Sequence, residues 1–412
     1  MAGSKGLFFL METIMKIQIG GWRGRKGGLL LAVVLTGPVV GQQTGDECTG
    51  MVPLVDMARG DAYQGFQGGL YLDVKDYNWG RHLGEGMKRA MSIRPLDASG
   101  APARDGKIVF LSIGMSNTSQ ESNAFASLIR NFQGLNPAVV FVNGAQGGQD
   151  ARRIADPDAP YWTNIDQRLA QLGMTPLQVQ VIWHLQAVAN PRDPFPDHAQ
   201  ELRDLNAAAA RIIKDRYPHT GLMYSSSRIY AGYAKTGLNP EPYAYESGFS
   251  VKWLIEDQIA GDPELNYDPR RGEVRAPYLQ WAAYLWADGV CGRDDGLQWF
   301  REDFAADGTH PSAQGARKVA DLLLAHFSTD PTARLWFLRP ALRVVLGDMN
   351  GNGRIDGPDA HAFLLYEVDP DEFARRYPDV DPIAAGDINQ DGTVNNNDLL
   401  EFIPVLIAFS EP

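Results

Sequence analysis

Between residues 107 and 326 the sequence alternates short apolar runs with amphipathic segments, and this alternation constrains the fold more than any other feature. Each apolar run is short and bounded by turn residues, which is typical of a buried strand. Strands that alternate with helices build a parallel sheet with crossover helices. The sequence therefore predicts an α/β domain.

The predicted elements follow from this pattern. The predicted strands are 107–113, 138–142, 179–185, 221–225 and 278–286, and the predicted helices are 121–132, 164–172, 199–217, 251–260 and 313–327. Ligands of open α/β sheets bind beyond the carboxyl ends of the strands. Ser116 follows the first strand and lies at such an end.

The N-terminal residues 1–41 are predicted to be an export signal, because Arg23, Arg25 and Lys26 precede the apolar run 29–35 and a stretch of small residues. That run is too short to cross a bilayer, which needs about 20 apolar residues. We therefore expect a secreted protein with no stable membrane span after signal cleavage, and an uncleaved membrane anchor is the less favoured alternative. The remaining chain divides into an N-terminal extension packed on the main domain (42–104), the main domain (105–330), a linker (331–345) and a small C-terminal domain (346–412).

Charge and cysteine content limit the partners and the compartment. The formal net charge is −12, and the clustered basic residues that phosphate binding needs are missing from the sequence, which argues against a nucleic-acid partner. Export permits a disulfide between the two cysteines, Cys48 and Cys291. Two unpaired buried thiols are the alternative, because sequence alone does not show that the two residues approach each other.

An acid and a histidine stand close together in a loop before the last predicted helix of the main domain. Asp307 precedes His310 by three residues in the run Asp-Gly-Thr-His-Pro-Ser, and Ser116 lies far upstream. A serine hydroxyl becomes a nucleophile when a base takes its proton, and a carboxylate can orient that base. Individually, Ser116 could be a helix cap, Asp307 a turn residue and His310 a surface histidine. Together they predict a catalytic triad that needs no cofactor.

These residues resemble those of the SGNH (GDSL-like) hydrolases over about residues 107–327. The resemblance implies a flavodoxin-like three-layer α/β/α fold, a nucleophilic Ser116 after the first strand, and the pair Asp307 and His310 near the end of the domain. It also implies an oxyanion hole made by the N–H of Ser116, a glycine after the second strand and an asparagine after the third. Gly148 is the best match for the glycine, with Gly147 as a close alternative, and Gln186 stands where the family has asparagine.

Two twelve-residue segments near the C-terminus match one calcium-loop template, with oxygen side chains at positions 1, 3, 5, 9 and 12, a backbone carbonyl at position 7, and glycine at position 6. The predicted ligands are Asp348, Asn350, Asn352, Arg354, Asp356 and Asp359 in the first loop, and Asp387, Asn389, Asp391, Thr393, Asn395 and Asp398 in the second. We therefore expect two structural Ca²⁺ sites. The pair resembles dockerin modules, which makes a scaffold protein a candidate partner, although the small hydroxyl residues that dockerins use for cohesin binding are missing.

The sequence thus predicts a secreted serine esterase that deacylates a carbohydrate or another small ester. Tyr224, Tyr230, Tyr233 and Tyr243 would suit a sugar-binding face together with Arg228, or they pack in an ordinary loop. His184 is interpreted as structural or pocket-lining. The alternative function is a non-catalytic glycan-binding or scaffold-associated protein, to which the glutamine at position 186 points.

Overall fold

The computed structural model describes residues 47–71 and 77–410. The export signal predicted for residues 1–41 lies outside these described residues. Within them, no helix combines the length and the apolar content that a membrane crossing requires.

A five-stranded sheet forms the centre of the main domain, and its paired strands are all parallel. A small antiparallel hairpin precedes it, formed by β1 (Ala62–Tyr63) and β2 (Phe66–Gln67). The strands of the sheet are β3 (Ile108–Gly114), β4 (Val139–Asn143), β5 (Val179–Leu185), β6 (Leu222–Ser225) and β7 (Tyr278–Trp281), in the spatial order β4-β3-β5-β6-β7. The predicted α/β class with a parallel sheet is confirmed.

The first four predicted strands agree with the structure closely, whereas the fifth was predicted too long. The strand β7 ends at Trp281, not at residue 286. Residues Leu285 and Trp286 are nevertheless fully buried, and the N–H of Leu285 donates to the hydroxyl of Ser227 instead of to a neighbouring strand. Burial of the apolar run, not strand pairing, explains its composition.

The helices of the described chain connect the strands and build the C-terminal region. They are α1 (Tyr77–Ser92), α2 (Ser116–Ile129), α3 (Ala151–Ile154), α4 (Pro160–Gln171), α5 (Asp197–Arg216), α6 (Tyr243–Ala260), α7 (Ala313–Thr329), α8 (Arg334–Phe337), α9 (Gly357–Val368), α10 (Pro370–Arg376), α11 (Pro382–Gly386) and α12 (Asn396–Ser410). Short 3-10 turns lie at Leu54–Asp56, Pro176–Gln178, Pro263–Leu265, Pro269–Arg271, Arg301–Asp303 and Pro340–Leu342.

Helices cover both faces of the sheet. The helix α2 packs against α7, and α5 packs against α6. Because crossover connections are right-handed, the β3-α2-β4 unit and the β5-α5-β6 unit, which move along the sheet in opposite directions, place their helices on opposite faces. The strands β3 and β5 lie between these layers and are buried along their whole length.

The helix α6 begins eight residues earlier than predicted, at Tyr243 instead of residue 251. Residues 244–252 of this helix are all buried. A helix that is surrounded by protein shows no alternation of apolar and polar faces. The sequence pattern therefore marked only its second half.

The helix α1, in the segment predicted to be an N-terminal extension, packs against α12 of the C-terminal region. Its side chains Trp79, Leu83 and Met87 share one apolar cluster with residues of that region such as Phe363 and Phe402. The C-terminal region is thus attached to the rest of the protein through a shared core.

The expected linker, residues 331–345, contains the short helix α8. Two of its side chains, Trp336 and Phe337, are fully buried, and Trp336 contacts the ring of Phe110 in the sheet. This part of the chain therefore belongs to the packed core around the sheet.

A disulfide joins Cys48 to Cys291, which confirms the first of the two alternatives for these residues. Beside it, the carboxylate of Asp288 accepts hydrogen bonds from the N–H groups of Thr49 and Gly50, at 2.6 and 2.8 Å. The start of the described chain is therefore fixed to the loop that follows β7.

Candidate active site

The strand β3 and the helix α2 place Ser116 at the carboxyl edge of the sheet. The strand ends at Gly114, where a Cβ atom would lie 2.4 Å from the carbonyl oxygen of Leu185. Only glycine fits this close approach, which lets the chain turn directly into α2. Ser116 is the first residue of that helix, so its N–H belongs to the first turn, where N–H groups have no acceptor within the helix.

Ser116, His310 and Asp307 form one continuous chain of hydrogen bonds. The hydroxyl of Ser116 lies 2.8 Å from Nε2 of His310. The other ring nitrogen, Nδ1, lies 2.6 Å from Oδ2 of Asp307. These distances suit proton transfer from a hydroxyl to a base whose ring is oriented by a carboxylate. The structure thus brings together the three residues predicted for catalysis.

Hydrogen bonds and a close backbone contact stabilise the conformation of the loop that carries Asp307. The second carboxylate oxygen of Asp307 accepts the N–H groups of Thr309 and His310, at 3.0 and 3.1 Å. Gly308 has a φ of +70°, and a Cβ there would lie 1.7 Å from the carbonyl oxygen of Tyr233. The side-chain amide of Asn117 donates to the carbonyl of Thr309 at 2.9 Å, which links this loop to the helix that carries Ser116.

Asp307, the acid of the hydrogen-bonded triad, is held in its ionised form. Partial burial raises the pKa of Asp307, but the hydrogen bond from His310 and those from the N–H groups of Thr309 and His310 outweigh burial and lower the pKa to about 2. Asp307 is therefore a carboxylate at neutral pH. In that state it accepts a hydrogen bond from Nδ1–H of His310, which leaves Nε2 as the acceptor for the hydroxyl of Ser116.

The loop after β4 supplies the glycines predicted for the oxyanion hole. Gly148 has a φ of +73° and lines the same cavity as Ser116. Gly147 is also adjacent, since a Cβ there would lie 3.9 Å from Cβ of Ser116. The backbone of this loop thus lies beside Ser116, in the region that the carbonyl oxygen of an ester attacked by Ser116 would occupy.

The structure does not bring Gln186 to this cavity. Its side-chain nitrogen donates to the carbonyl oxygen of Gln149 at 3.1 Å, and its side-chain oxygen accepts the N–H of Ala187 at 3.2 Å. The side chain is buried and is not among the residues that line the cavity. The longer arm of glutamine is thus used to fix the loop after β5, and the predicted third oxyanion donor is not in place.

The cavity beside Ser116 is small, with a volume of about 80 Å³. Apolar side chains form much of its wall, including Ala187, Val188 and Leu238, and Arg228 and Asn239 also line it. Larger hollows lie elsewhere, for example one of about 320 Å³ beside Gly261. The described residues around that hollow include no nucleophile paired with a base, so the smaller cavity is the candidate active site.

His184 and two of the tyrosines take structural positions. Burial lowers the pKa of His184 to about 3, so its ring is neutral, and it lies 3.4 Å from the hydroxyl of Ser225. Tyr224 and Tyr230 are fully buried, and the hydroxyl of Tyr224 lies 2.7 Å from that of Thr332. For these two tyrosines the structure therefore agrees with the alternative of ordinary packing, not with a sugar-binding face.

Arg228 and Asn239 line the cavity, and no catalytic role is predicted for either from the sequence. Arg228 follows a run of three serines at the end of β6. A charged residue directly after a strand end of an open α/β sheet is the signal that could have identified it.

The two predicted calcium loops have the same internal hydrogen-bond pattern. In both loops, the carboxylates at positions 1 and 12 accept N–H groups of their own loop. In the first loop Asp348 accepts from Asn352 and Gly353, and Asp359 accepts from Asn350 and Asp356. In the second loop Asp387 accepts from Asp391 and Gly392, and Asp398 accepts from Asn389 and Asn395.

The loops fit a calcium ion by the chemistry of their donors. The candidate ligands are carboxylate, amide and carbonyl oxygens, which are the donors that Ca²⁺ prefers. Burial, together with the nearby carboxylates of Asp348 and Asp356, raises the pKa of Asp359 to about 6, against the effect of the backbone hydrogen bonds. One oxygen of Asp356 is buried and has no hydrogen-bond partner among the described residues. A bound cation would relieve the repulsion among these groups.

No protein-family model and no curated protein sequence matches this chain. Among solved structures, the C-terminal catalytic domain of peptidoglycan O-acetyltransferase A from Streptococcus pneumoniae is 12% identical and covers 57% of this chain and 98% of that chain, with a TM-score of 0.28. An acetylxylan esterase from Geobacillus stearothermophilus is 16% identical and covers 53% of this chain and 93% of its own, with a TM-score of 0.31. The periplasmic domain of a lipopolysaccharide acetyltransferase from Salmonella Paratyphi A is 13% identical and covers 61% of this chain and 97% of its own, with a TM-score of 0.30.

Proposed function

We propose that this protein is a serine ester hydrolase of the SGNH type. The observation that supports this most directly is the continuous hydrogen-bonded chain from the hydroxyl of Ser116 through the ring of His310 to the carboxylate of Asp307. These residues come from opposite ends of the domain, and their convergence at the carboxyl edge of the sheet is the arrangement that acyl transfer needs.

The mechanism follows from the positions of these groups. His310 takes the proton of Ser116 as the hydroxyl attacks the ester carbonyl, and Asp307 stabilises the protonated ring. The N–H groups of Ser116 and Gly148 are the donors for the oxyanion that forms. His310 then returns the proton to the leaving alcohol, and water releases the acid from the acyl-enzyme.

The test is hydrolysis of 4-nitrophenyl acetate by the purified protein. We expect Ser116→Ala and His310→Ala to lower kcat by at least ~1,000-fold. The matched controls are Ser99→Ala, at an exposed serine, and His361→Ala, at an exposed histidine, and both should retain wild-type rates. Absence of turnover, or turnover that survives in the Ser116 and His310 variants, would favour the glycan-binding alternative.

We further propose that the C-terminal loops hold two structural Ca²⁺ ions. The matching hydrogen bonds of the two loops and the crowding of their carboxylates support this assignment. Calorimetric titration with CaCl₂ should show two sites, and Asp348→Ala and Asp387→Ala should each remove one. Asp321→Ala, at an exposed carboxylate on α7, is the control. Unchanged stoichiometry in both loop variants would refute the ligand assignment.

Secretion, a carbohydrate ester as substrate and a scaffold protein as partner are further parts of this proposal. The disulfide between Cys48 and Cys291 supports export, because such bonds persist in oxidising compartments. N-terminal sequencing of protein recovered from a culture medium tests export: we expect a new N-terminus near Gly41. Recovery with residue 1 intact would contradict cleavage. Release of acetate from an acetylated polysaccharide tests the substrate class.

A further inference from the structure

Arg228 lies in the wall of the Ser116 cavity, and its guanidinium group is only partly used by the protein. The side chain is 1% exposed, and its Nε donates to the side-chain oxygen of Asn239 at 3.2 Å. Its Nη1 is buried without a hydrogen-bond partner among the described residues. A buried cation with a free donor is costly unless a ligand completes its contacts.

The neighbouring acids do not satisfy this group. Glu241 already accepts hydrogen bonds from the N–H groups of Ala231, Tyr245 and Trp286. Both carboxyl oxygens of Glu121 are buried and make no hydrogen bond within the described chain. Burial raises the pKa of each of these two acids to about 7, although the charge of Arg228 opposes that rise. The positive charge of Arg228 therefore has no bonded counter-charge in the described part of the protein.

The position of Arg228 points to the acyl part of the substrate. Ser116 and Gly148, which would bind the acyl carbonyl, line the same small cavity. Asp150 also lies in its wall, but its two oxygens accept the N–H groups of Arg153 and Ala189. Among the described residues that line the cavity, Arg228 is thus the cation available to an acyl chain bound at Ser116.

We propose that Arg228 binds a carboxylate at the far end of the acyl chain, so that the preferred substrates are half-esters of short dicarboxylic acids, of the malonyl or succinyl type. This inference rests on the proposed ester hydrolysis at Ser116. A guanidinium group matches a carboxylate in charge and in the spacing of its donors. Asn239 acts as a positioning residue: its side-chain nitrogen donates to the carbonyl of Val188 while its oxygen holds Arg228.

The reaction remains hydrolysis of an ester. The bond between the acyl carbon and the alcohol oxygen breaks, the alcohol leaves with the proton returned by His310, and water supplies the oxygen of the new carboxylate. The distal carboxylate takes no part in bond making. Its contact with Arg228 fixes the acyl chain in the cavity, which positions the carbonyl carbon at the hydroxyl of Ser116.

A pair of isosteric esters tests this recognition. Monomethyl succinate and methyl 4-methylpentanoate have the same length and shape, but the second carries an isopropyl group in place of the carboxylate. Monomethyl malonate and methyl 3-methylbutanoate form a shorter pair of the same design. With base uptake as the readout, we expect the wild-type protein to favour at least one half-ester over its neutral partner by ~10-fold or more in kcat/KM. In Arg228→Met this ratio should fall by ~10- to 100-fold. Arg317→Met, at an exposed arginine that pairs with Asp321, is the matched control and should keep the wild-type ratio.

A binding measurement separates this inference from the proposed function. Ser116→Ala should bind monomethyl succinate more tightly than the neutral ester in calorimetric titration, and addition of Arg228→Met should abolish the difference. Arg228→Gln, which removes the charge but keeps a polar side chain, serves if Arg228→Met does not fold. If a site with Arg228 intact hydrolyses or binds the half-ester and the neutral ester equally well, the inference about Arg228 is overturned. The proposed esterase function would remain. Equal losses for both esters in the Arg228 variants would also overturn it. Binding that depends on Arg228 without any hydrolysis would support recognition and refute the esterase.

Discussion

Asp307 differs from an ordinary surface aspartate because, among the described residues, the hydrogen bonds to its carboxylate come from Thr309 and His310 of its own short loop and favour the charged form. These bonds orient the ring of His310 as well as lowering the pKa of the acid. Replacement by asparagine keeps the size of the side chain but removes the charge that stabilises a protonated His310. We expect Asp307→Asn to lower kcat for 4-nitrophenyl acetate by about 100- to 10,000-fold. A kcat within about 3-fold of the wild-type value would show that His310 works without its acid.

The same carboxylate should affect stability in a pH-dependent way. The pKa of Asp307 is lowered from 3.8 to about 2 in the folded protein, so ionised Asp307 stabilises the fold above the unfolded pKa. That contribution is lost as pH falls toward about 2. The difference in free energy of unfolding between wild-type protein and Asp307→Asn should be full at about pH 5 and shrink with acidification. Urea unfolding at a series of pH values measures it, and a difference that grows on acidification would contradict the account.

The three catalytic residues could be predicted from sequence because each lies in a local pattern: a strand that turns into a helix for Ser116, and an acid three residues before a histidine for Asp307 and His310. Gln186 could not be placed in the same way. The direction of its long side chain is decided by the carbonyl of Gln149, which a distant loop supplies. The role of Arg228 could not be identified from sequence either. It is inferred from a buried guanidinium nitrogen that has no hydrogen-bond partner among the described residues, which only the structure shows.

At the scale of elements, α1 was not predicted because its sequence contains Gly80, Gly84 and Gly86, and glycine is unfavourable within helices. Tertiary packing explains these glycines. A Cβ at Gly80 would lie 2.8 Å from Cβ of Pro404, and one at Gly84 would lie 2.7 Å from Cβ of Ala408. The absence of side chains lets α1 approach α12 closely, and the resulting van der Waals packing offsets the low helix propensity. The long strands and the other amphipathic helices were predicted because their sequence pattern is periodic. The helix α1 is amphipathic as well, but its glycines, which only the contact with a distant helix explains, lower its intrinsic helix propensity.

This close approach should make α1 intolerant of larger residues. We expect Gly84→Val to lower the free energy of unfolding by about 1–3 kcal/mol, because the new side chain overlaps α12. Urea denaturation followed by circular dichroism measures the change. Gly221→Ala is the control, since a Cβ at that position meets open space. Equal stability of Gly84→Val and wild-type protein would show that α1 and α12 can separate without cost.

At the scale of the whole molecule, the C-terminal region and the α/β domain share an apolar cluster through α1. Loss of structure in the calcium loops should therefore weaken the contact between α1 and α12. A calcium concentration of 100 times Kd stabilises the fold by about 2.7 kcal/mol per site. We expect a chelator that removes Ca²⁺ to lower the free energy of unfolding by this amount. Differential scanning calorimetry with and without chelator measures it. Identical melting curves in both conditions would contradict calcium binding.

The disulfide is a covalent link between two distant parts of the sequence, because Cys48 and Cys291 are separated by 243 residues. A bridge that closes such a long loop limits the unfolded chain. We expect the Cys48→Ser and Cys291→Ser double variant to lose about 2–5 kcal/mol of stability. Wild-type protein treated with a reducing agent should melt at the same lowered temperature as the variant. A melting temperature unchanged by either treatment would show that the bridge contributes nothing to folding.

The most direct test of the central claim is the site of covalent labelling by a sulfonyl fluoride that mimics an acyl donor. We predict one adduct, located by peptide mass spectrometry on Ser116, with hydrolysis of 4-nitrophenyl acetate lost in proportion to labelling. His310→Ala should not be labelled, because its serine has no base. An adduct on another residue, or full activity after complete labelling of Ser116, would contradict the assignment of Ser116 as the nucleophile.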